Sequence, residues 1–328
     1  MISKIFSLDK FTQIFLLIPL WIIIAFTIFF FDYDLIKFVD ASYFYNFIVH
    51  NISHTAILMK SILLLLVLYE SIWLSLVLQR HEIVHKSSFI ASYIYCLLML
   101  AFPQELIFSP IAFTNLFLIF FVDVILKIYS QKMVSNMTFI ASMTISISAL
   151  FFFPSLIFIL SIWISLFLFS HVSLRNILAS ILGLSFTYLY LFSYYFFVDR
   201  IDEASAYYTD FMNLSYTFQI PNLDVNFLFY GLILLYVIYY MVKNILTSGE
   251  KLIRVRKKLQ FLNLFLFISL FFSVFLVHNE ISFYSFAFVP ISIILASSSE
   301  LRNWGRINEV LSLVFVALII ASYFAHIL

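Results

Sequence analysis

The sequence predicts an all-α fold, a polytopic bundle of transmembrane helices, and three observations predict it. Of the 328 residues, 64% are hydrophobic and 11% charged, whereas a soluble domain is about half apolar and a quarter charged. Apolar runs recur along the whole chain at the length of about 20 residues that crosses roughly 30 Å of hydrocarbon. Lysines and arginines collect in alternate connecting segments, as they do when one side of a membrane retains them. Mean hydropathy is +1.08, and a globule of this size has too little interior to hide 43 Phe side chains along with its Leu and Ile. A soluble enzyme, a nucleic-acid binder and a disordered chain are excluded.

Taken in order, the candidate spans are 11–31, 56–78, 89–107, 110–129, 137–153, 155–170, 177–198, 227–246, 261–277, 281–297 and 310–327, about eleven crossings at 1.5 Å of rise per residue. The first has too long an apolar stretch, and no small-residue cleavage site after it, to read as a cleaved signal peptide. The fifth and sixth are short and meet at Pro154, so one kinked helix is the alternative. Charge separates them. With the N-terminus inside and the C-terminus outside, eleven spans place Lys4, Lys10, Arg80, Lys86, Lys127, Lys132, Arg175, Lys243 and the basic stretch from Lys251 to Lys258 on the inner side, with Arg302 and Arg306. The outer side keeps Lys37 and Arg200 among many acids. Fusing the two short spans would turn Arg254-Val255-Arg256-Lys257-Lys258 outward, against the preference of inner loops for Lys and Arg.

The chain reads as one integral membrane domain over 1–328: N-terminal helices over 1–198 with an outer loop at 32–55, a second outer loop at 199–226, and C-terminal helices over 227–328. Both outer loops mix acids with apolar residues at three- and four-residue spacing, which predicts short helices lying in the interface. Pro19 and Pro290 fall inside spans and are expected to kink them. The single cysteine, Cys96, excludes an intrachain disulfide, and the four glycines are too far apart for a GxxxG packing motif.

Several residues stand out as carriers of chemistry. Asp32 and Asp34, one residue apart just beyond the first span, are the candidate catalytic carboxylates, since such a pair can reach a divalent cation or a reacting phosphate. Lys37, Asp40, Lys60 and Arg200 are candidate substrate contacts on the same side, the cations for a lipid phosphate. His81-Glu82-Ile83-Val84-His85 is a literal H-E-x-x-H; on a helix its histidines would share a face and bind zinc with Glu82 as base. It lies in a short basic turn, where a chance match is the alternative. His50 and His54 form a second i, i+4 pair that a metal or phosphate could use. Glu70, Asp123 and Lys127 are ionisable residues inside spans, each costing about 3 kcal/mol at mid-bilayer unless paired. Asp123 and Lys127 lie one turn apart and can satisfy each other. Glu70 has no partner within its own turn, and so is expected to meet Asp123, Lys127 or a tyrosine across the bundle.

Two resemblances extend this reading. The outward acidic pair after the first span, followed by interfacial helices, resembles integral-membrane glycosyltransferases of the GT-C type, which implies a lipid-linked sugar donor and a catalytic acid at Asp32 or Asp34. The stretches Phe102-Pro103-Gln104-Glu105, Phe108-Ser109-Pro110 and Asn115-Leu116-Phe117-Leu118 resemble an uncharacterised family of Bacteroidota inner-membrane proteins, some of them mislabelled as carotene monooxygenases. That resemblance implies a bacterial inner membrane and carries no activity. The expected function is a cell-envelope protein that moves a sugar from a polyprenyl-phosphate carrier, with a divalent metal as an open cofactor and membrane lipids as partners. A non-enzymatic membrane subunit, an ion- or proton-coupled transporter and a zinc protease are the alternatives.

Overall fold

The structure, a computed structural model, describes residues 10–30, 43–52, 55–85, 88–130, 133–199, 217–218, 225–250, 252–278, 281–282, 284–299 and 306–327. These form a helical bundle: α1 (Lys10–Phe30), α2 (Tyr43–Ile52), α3 (Ala56–Arg80), α4 (Ile90–Ala101), α5 (Pro110–Ile128), α6 (Val134–Phe151), α7 (Ile159–Leu168), α8 (Leu174–Phe197), α9 (Val225–Leu246), α10 (Ile253–Phe275), α11 (Phe288–Ser299) and α12 (Arg306–Ile327). Among the described residues, seven helices are long and apolar enough to cross a membrane, and four further apolar helices are shorter. This is a multi-pass membrane protein.

The helix boundaries follow local chemistry. Pro110 opens α5, where a missing N–H costs nothing. Ser173 caps α8 by accepting from the Asn176 N–H at 3.2 Å. The fifth and sixth spans are two elements: Phe152 is extended at φ −144° and ψ 103°, and Pro154 lies in a 3-10 turn over Phe153–Phe158 before α7.

Three boundaries differ from the sequence reading. The span placed at 261–277 begins at Ile253, so Arg254–Lys258 are the opening turns of α10 and not a loop. Its end passes into a strand, β2 (Leu276–His278), which pairs antiparallel with β1 (Thr217–Phe218) and β3 (Ile281–Ser282). The span placed at 281–297 is therefore a strand, a 3-10 turn over Tyr284–Ala287 and then α11. Pro290 falls in the first turn of α11 and starts a helix where a kink was expected.

The short helix expected within 32–55 is present as α2. The one expected in 199–226 falls mostly outside the described residues; Thr217 and Phe218 there are extended. Tyr45 pins α2 by donating its hydroxyl to the Phe108 carbonyl at 2.6 Å. The turn between α4 and α5 therefore lies at the α2 end of the bundle.

The centre is aromatic. Phe158 packs on Phe265 and Phe286 at 4.8 and 5.2 Å between ring centroids. Tyr230 stacks on Tyr284 at 4.2 Å while sharing a 2.7 Å hydrogen bond with Ser273. With lipid as the solvent, helices gain little from hiding apolar surface, so such packing and the interhelical hydrogen bonds hold the bundle.

Candidate functional site

Most of the polar chemistry lies at three depths in the bundle, and an apolar groove lies at its edge. At the end opposite α2, Asp123 is buried and accepts three hydrogen bonds: Arg80 at 2.9 Å, His81 Nε2 at 2.8 Å and Lys127 at 2.6 Å. Lys127 pairs with it as its i+4 spacing predicts. The other two partners come from the end of α3 and the turn after it, and chain distance alone did not disclose them.

His81 is itself buried, and burial holds its imidazole below the ordinary value, against the raising effect of the Asp123 hydrogen bond and aided by the nearby Lys258 charge. The ring is neutral near pH 7 and donates from Nε2. Lys258 donates to the His81 carbonyl at 3.3 Å, and Arg254 is ion-paired with Glu82. Together these contacts seat the start of α10 on the turn after α3.

That arrangement bears on H-E-x-x-H. Glu82 has φ 58°, in the left-handed region, so no helix runs through 81–85 and the two histidines do not share a face. His81 points inward to Asp123, while His85 is exposed. Among the described residues no group of three or more His, Cys, Asp or Glu side chains is placed to hold a metal ion.

Midway along α3, Glu70 is fully buried and accepts the Tyr95 hydroxyl at 2.6 Å, the tyrosine partner across the bundle that its isolation called for. Neither Asp123 nor Lys127 is that partner. Toward the α2 end, Asn115 donates to the Ser285 carbonyl at 3.2 Å and Ser285 donates to Glu105 at 2.6 Å. Glu105 and Asn115 belong to the stretches that carried the inner-membrane resemblance; their tie to Ser285, 170 residues beyond Asn115, had no local sign.

Lys60, expected to meet a lipid phosphate, is buried and donates to the Phe29 carbonyl at the end of α1, at 3.2 Å. His50 lies on the exposed side of α2. Asp32, Asp34, Lys37, Asp40, His54 and Arg200 lie outside the described residues.

The groove was not foreseen. It has a volume of about 540 Å³ and lies between α2, α6 and α8, lined by Phe44 and Phe47 of α2, Ile147 and Leu150 of α6, and Tyr190 and Tyr194 of α8, among others. Its width depends on how α6 and α8 meet. A Cβ on Gly183 would stand 2.0 Å from Ser142 Oγ and 2.5 Å from the Phe139 carbonyl oxygen, so only glycine lets the helices approach this closely. Ser146 then donates to the Leu184 carbonyl at 3.0 Å. The absence of GxxxG did not mean the absence of close packing: one glycine faces Ser142 and Ser146, a small-xxx-small pair on the partner helix.

Residues 39–328 match a family of unknown function, DUF6427. The chain belongs to that family. No curated protein and no solved structure matches the chain. Membership covers the groove, the Asp123 cluster and Glu70 together, while Asp32, Asp34 and Lys37 precede the matched segment.

Proposed function

We propose that this protein is a cell-envelope component of a bacterial inner membrane. In this reading it crosses eleven times, with its N-terminus inside, and takes the hydrocarbon chain of a polyprenyl-phosphate-linked sugar into the groove beneath α2. The observation that carries the proposal is the groove itself. It is a nearly wholly apolar recess of about 540 Å³, within the 300–1,000 Å³ usual for ligand pockets. It opens beside α8, whose apolar side chains Phe186, Leu189 and Phe192 are exposed as a lipid-facing surface requires. Tyr190 and Tyr194 bring hydroxyl-bearing rings to it, the amphipathic residues that collect where tails meet headgroups.

On this reading the segment leading into α2 carries the chemistry. Asp32 or Asp34 acts as the metal-binding or base carboxylate, and Lys37, Asp40 and Arg200 meet the phosphate and sugar. The GT-C resemblance supports the same arrangement. A divalent metal, if used, would be held by these carboxylates.

The test uses full-length protein in lipid nanodiscs and a photoactivatable polyprenyl-phosphate sugar. Crosslinking to Ile147, Leu150 or Tyr190, lost in Ile147→Trp, is expected; equal labelling of the variant overturns the groove as the chain's seat. Asp32→Ala with Asp34→Ala is expected to abolish release of the sugar while leaving the crosslink intact.

A second reading, a membrane subunit that holds a lipid without transforming it, is favoured by Lys60. That cation is engaged with the end of α1 instead of standing ready for a phosphate. Crosslinking without sugar release from the wild-type protein would select it.

A further inference from the structure

We propose that Glu70, Tyr95 and Asn115 form a proton-binding site in the middle of the bundle, reached from the Asp123 end along the hydroxyl-bearing seam between α3 and α4. The proposal concerns a different site from the groove and stands apart from the reading above.

Glu70 is fully buried about halfway along a 25-residue helix. Its Oε2 accepts from Tyr95, its Oε1 forms no well-aligned hydrogen bond, and the Leu116 backbone N–H lies close to the carboxyl group. The Asn115 side chain lies beside the same tyrosine hydroxyl. Its Nδ2 is committed to the Ser285 carbonyl, which fixes the amide orientation and leaves Oδ1 buried without a partner. A buried carboxyl oxygen without an aligned donor is stabilised when it carries a proton of its own. A metal cation is a poorer fit, because the four side-chain oxygens of these three residues fall short of the six or more that Ca²⁺ or Mg²⁺ takes.

The charged surroundings point the same way. An ionised carboxylate at this depth needs a counter-charge, and Glu70 makes no ion pair among the described residues. On α3 itself the cations are Lys60 and Arg80, each ten residues away and so about 15 Å along the helix; Lys60 bonds to Phe29 and Arg80 to Asp123. Tyr69 is the adjacent titratable group on that helix and is exposed. The packed elements contribute Lys10 at the far start of α1, Tyr43, Tyr45 and His50 from α2, Tyr93 and Cys96 from α4 beside Tyr95, and the Asp123–Lys127 pair from α5; α11 contributes none. Protonation is the neutralisation these residues leave available.

The seam between α3 and α4 on the Asp123 side of the site carries hydroxyl groups: Ser75 and Ser92 share a 2.7 Å contact, and Ser92 donates to the Ser71 carbonyl at 2.6 Å, next to Glu70 in sequence. This seam is the path the proposal takes. Elsewhere in the centre, large aromatic side chains fill the space.

The test is infrared spectroscopy of the full chain in nanodiscs, reading the carbonyl stretch of a protonated carboxyl group. At neutral pH a carboxyl band absent from Glu70→Gln is expected, retained in a shifted position in Glu70→Asp. On transfer to D₂O it is expected to move to the deuterated position, several-fold more slowly in Ser92→Ala. Equal thermal unfolding of the variants establishes that each is folded. Identical spectra for the wild type and a folded Glu70→Gln would mean that Glu70 is ionised, and would overturn the site. A band that never exchanges, or one that exchanges equally fast in Ser92→Ala, would overturn the path.

Discussion

The α3–α4–α5 centre and the α6–α8 edge solve the problem of packing in lipid by different means. Of the span windows, α5 has 72% of its residues buried and α8 only 17%. The centre buries polar groups in separate clusters at successive depths: Asp123 with its three donors, the Ser75–Ser92 pair, Glu70 with Tyr95, and Asn115 and Glu105 on Ser285. At the edge, Gly183 brings two helix backbones together and apolar surface is left open beside the junction. The difference teaches how lipid changes the rule for a surface: the centre encloses its few ionisable groups within aromatic packing, while the edge turns apolar side chains to the solvent, which here is lipid.

The comparison can be broken first at Asp123. Asp123→Ala removes the acceptor for three donors, and a loss near 3 kcal/mol is expected, at the low end of the range for breaking a buried ion pair because Arg80 and Lys127 are partly exposed. Thermal unfolding in detergent measures it, and an unchanged midpoint would show that the centre does not depend on its charges. Gly183→Ala probes the edge. The added methyl forces α6 and α8 apart at a cost of about 1–3 kcal/mol, and lipid crosslinking at Leu150 is expected to change with it. Ser142→Ala should restore only part of the loss, since the Phe139 carbonyl still clashes.

The next effect depends on pH. His81 binds its proton less readily in the folded protein than in the unfolded chain. As pH falls below the unfolded value of about 6.5 the unfolded state takes up more protons, so stability declines with falling pH in that window. His81→Gln should flatten that part of the unfolding-midpoint profile; a profile unchanged by the substitution would contradict a buried neutral imidazole. The smallest effect belongs to Glu82→Gln. The Glu82–Arg254 pair is about half exposed on both sides, and such pairs contribute at most about 1 kcal/mol.

Much of the fold was legible because it rests on local patterns. Apolar runs of membrane length mark α1, α3, α5, α8 and α9 to within a few residues, and Pro154 separates α6 from α7 because proline cannot continue a helix interior. The start of α10 was misread: a run of Lys and Arg looks like a loop, yet those side chains are compatible with the first turns of a helix whose head meets the turn after α3. The strand at 276–278 escaped because its ladder partner, Thr217–Phe218, is distant in sequence.

At the candidate sites the division is similar. Lys127 was legible as a partner of Asp123 through helical spacing; Arg80 and His81 were not, because a fold had to bring two helix ends together. Glu70 was conspicuous from its charge alone, and Tyr95 as its partner was one choice among many tyrosines. Gly183 facing Ser142 and Ser146 could have been found by searching for small residues spaced four apart.

By itself the sequence determined that the chain resides in a membrane as helices, because hydrophobic content and run length are additive along the chain, and a continuous apolar run of about 20 residues satisfies its own backbone hydrogen bonds in lipid as a helix. Only the tertiary structure decided which polar groups meet and where space remains beneath α2. Both depend on distances between residues far apart in the chain, and rotation about a helix axis that changes no local pattern is enough to make or lose them.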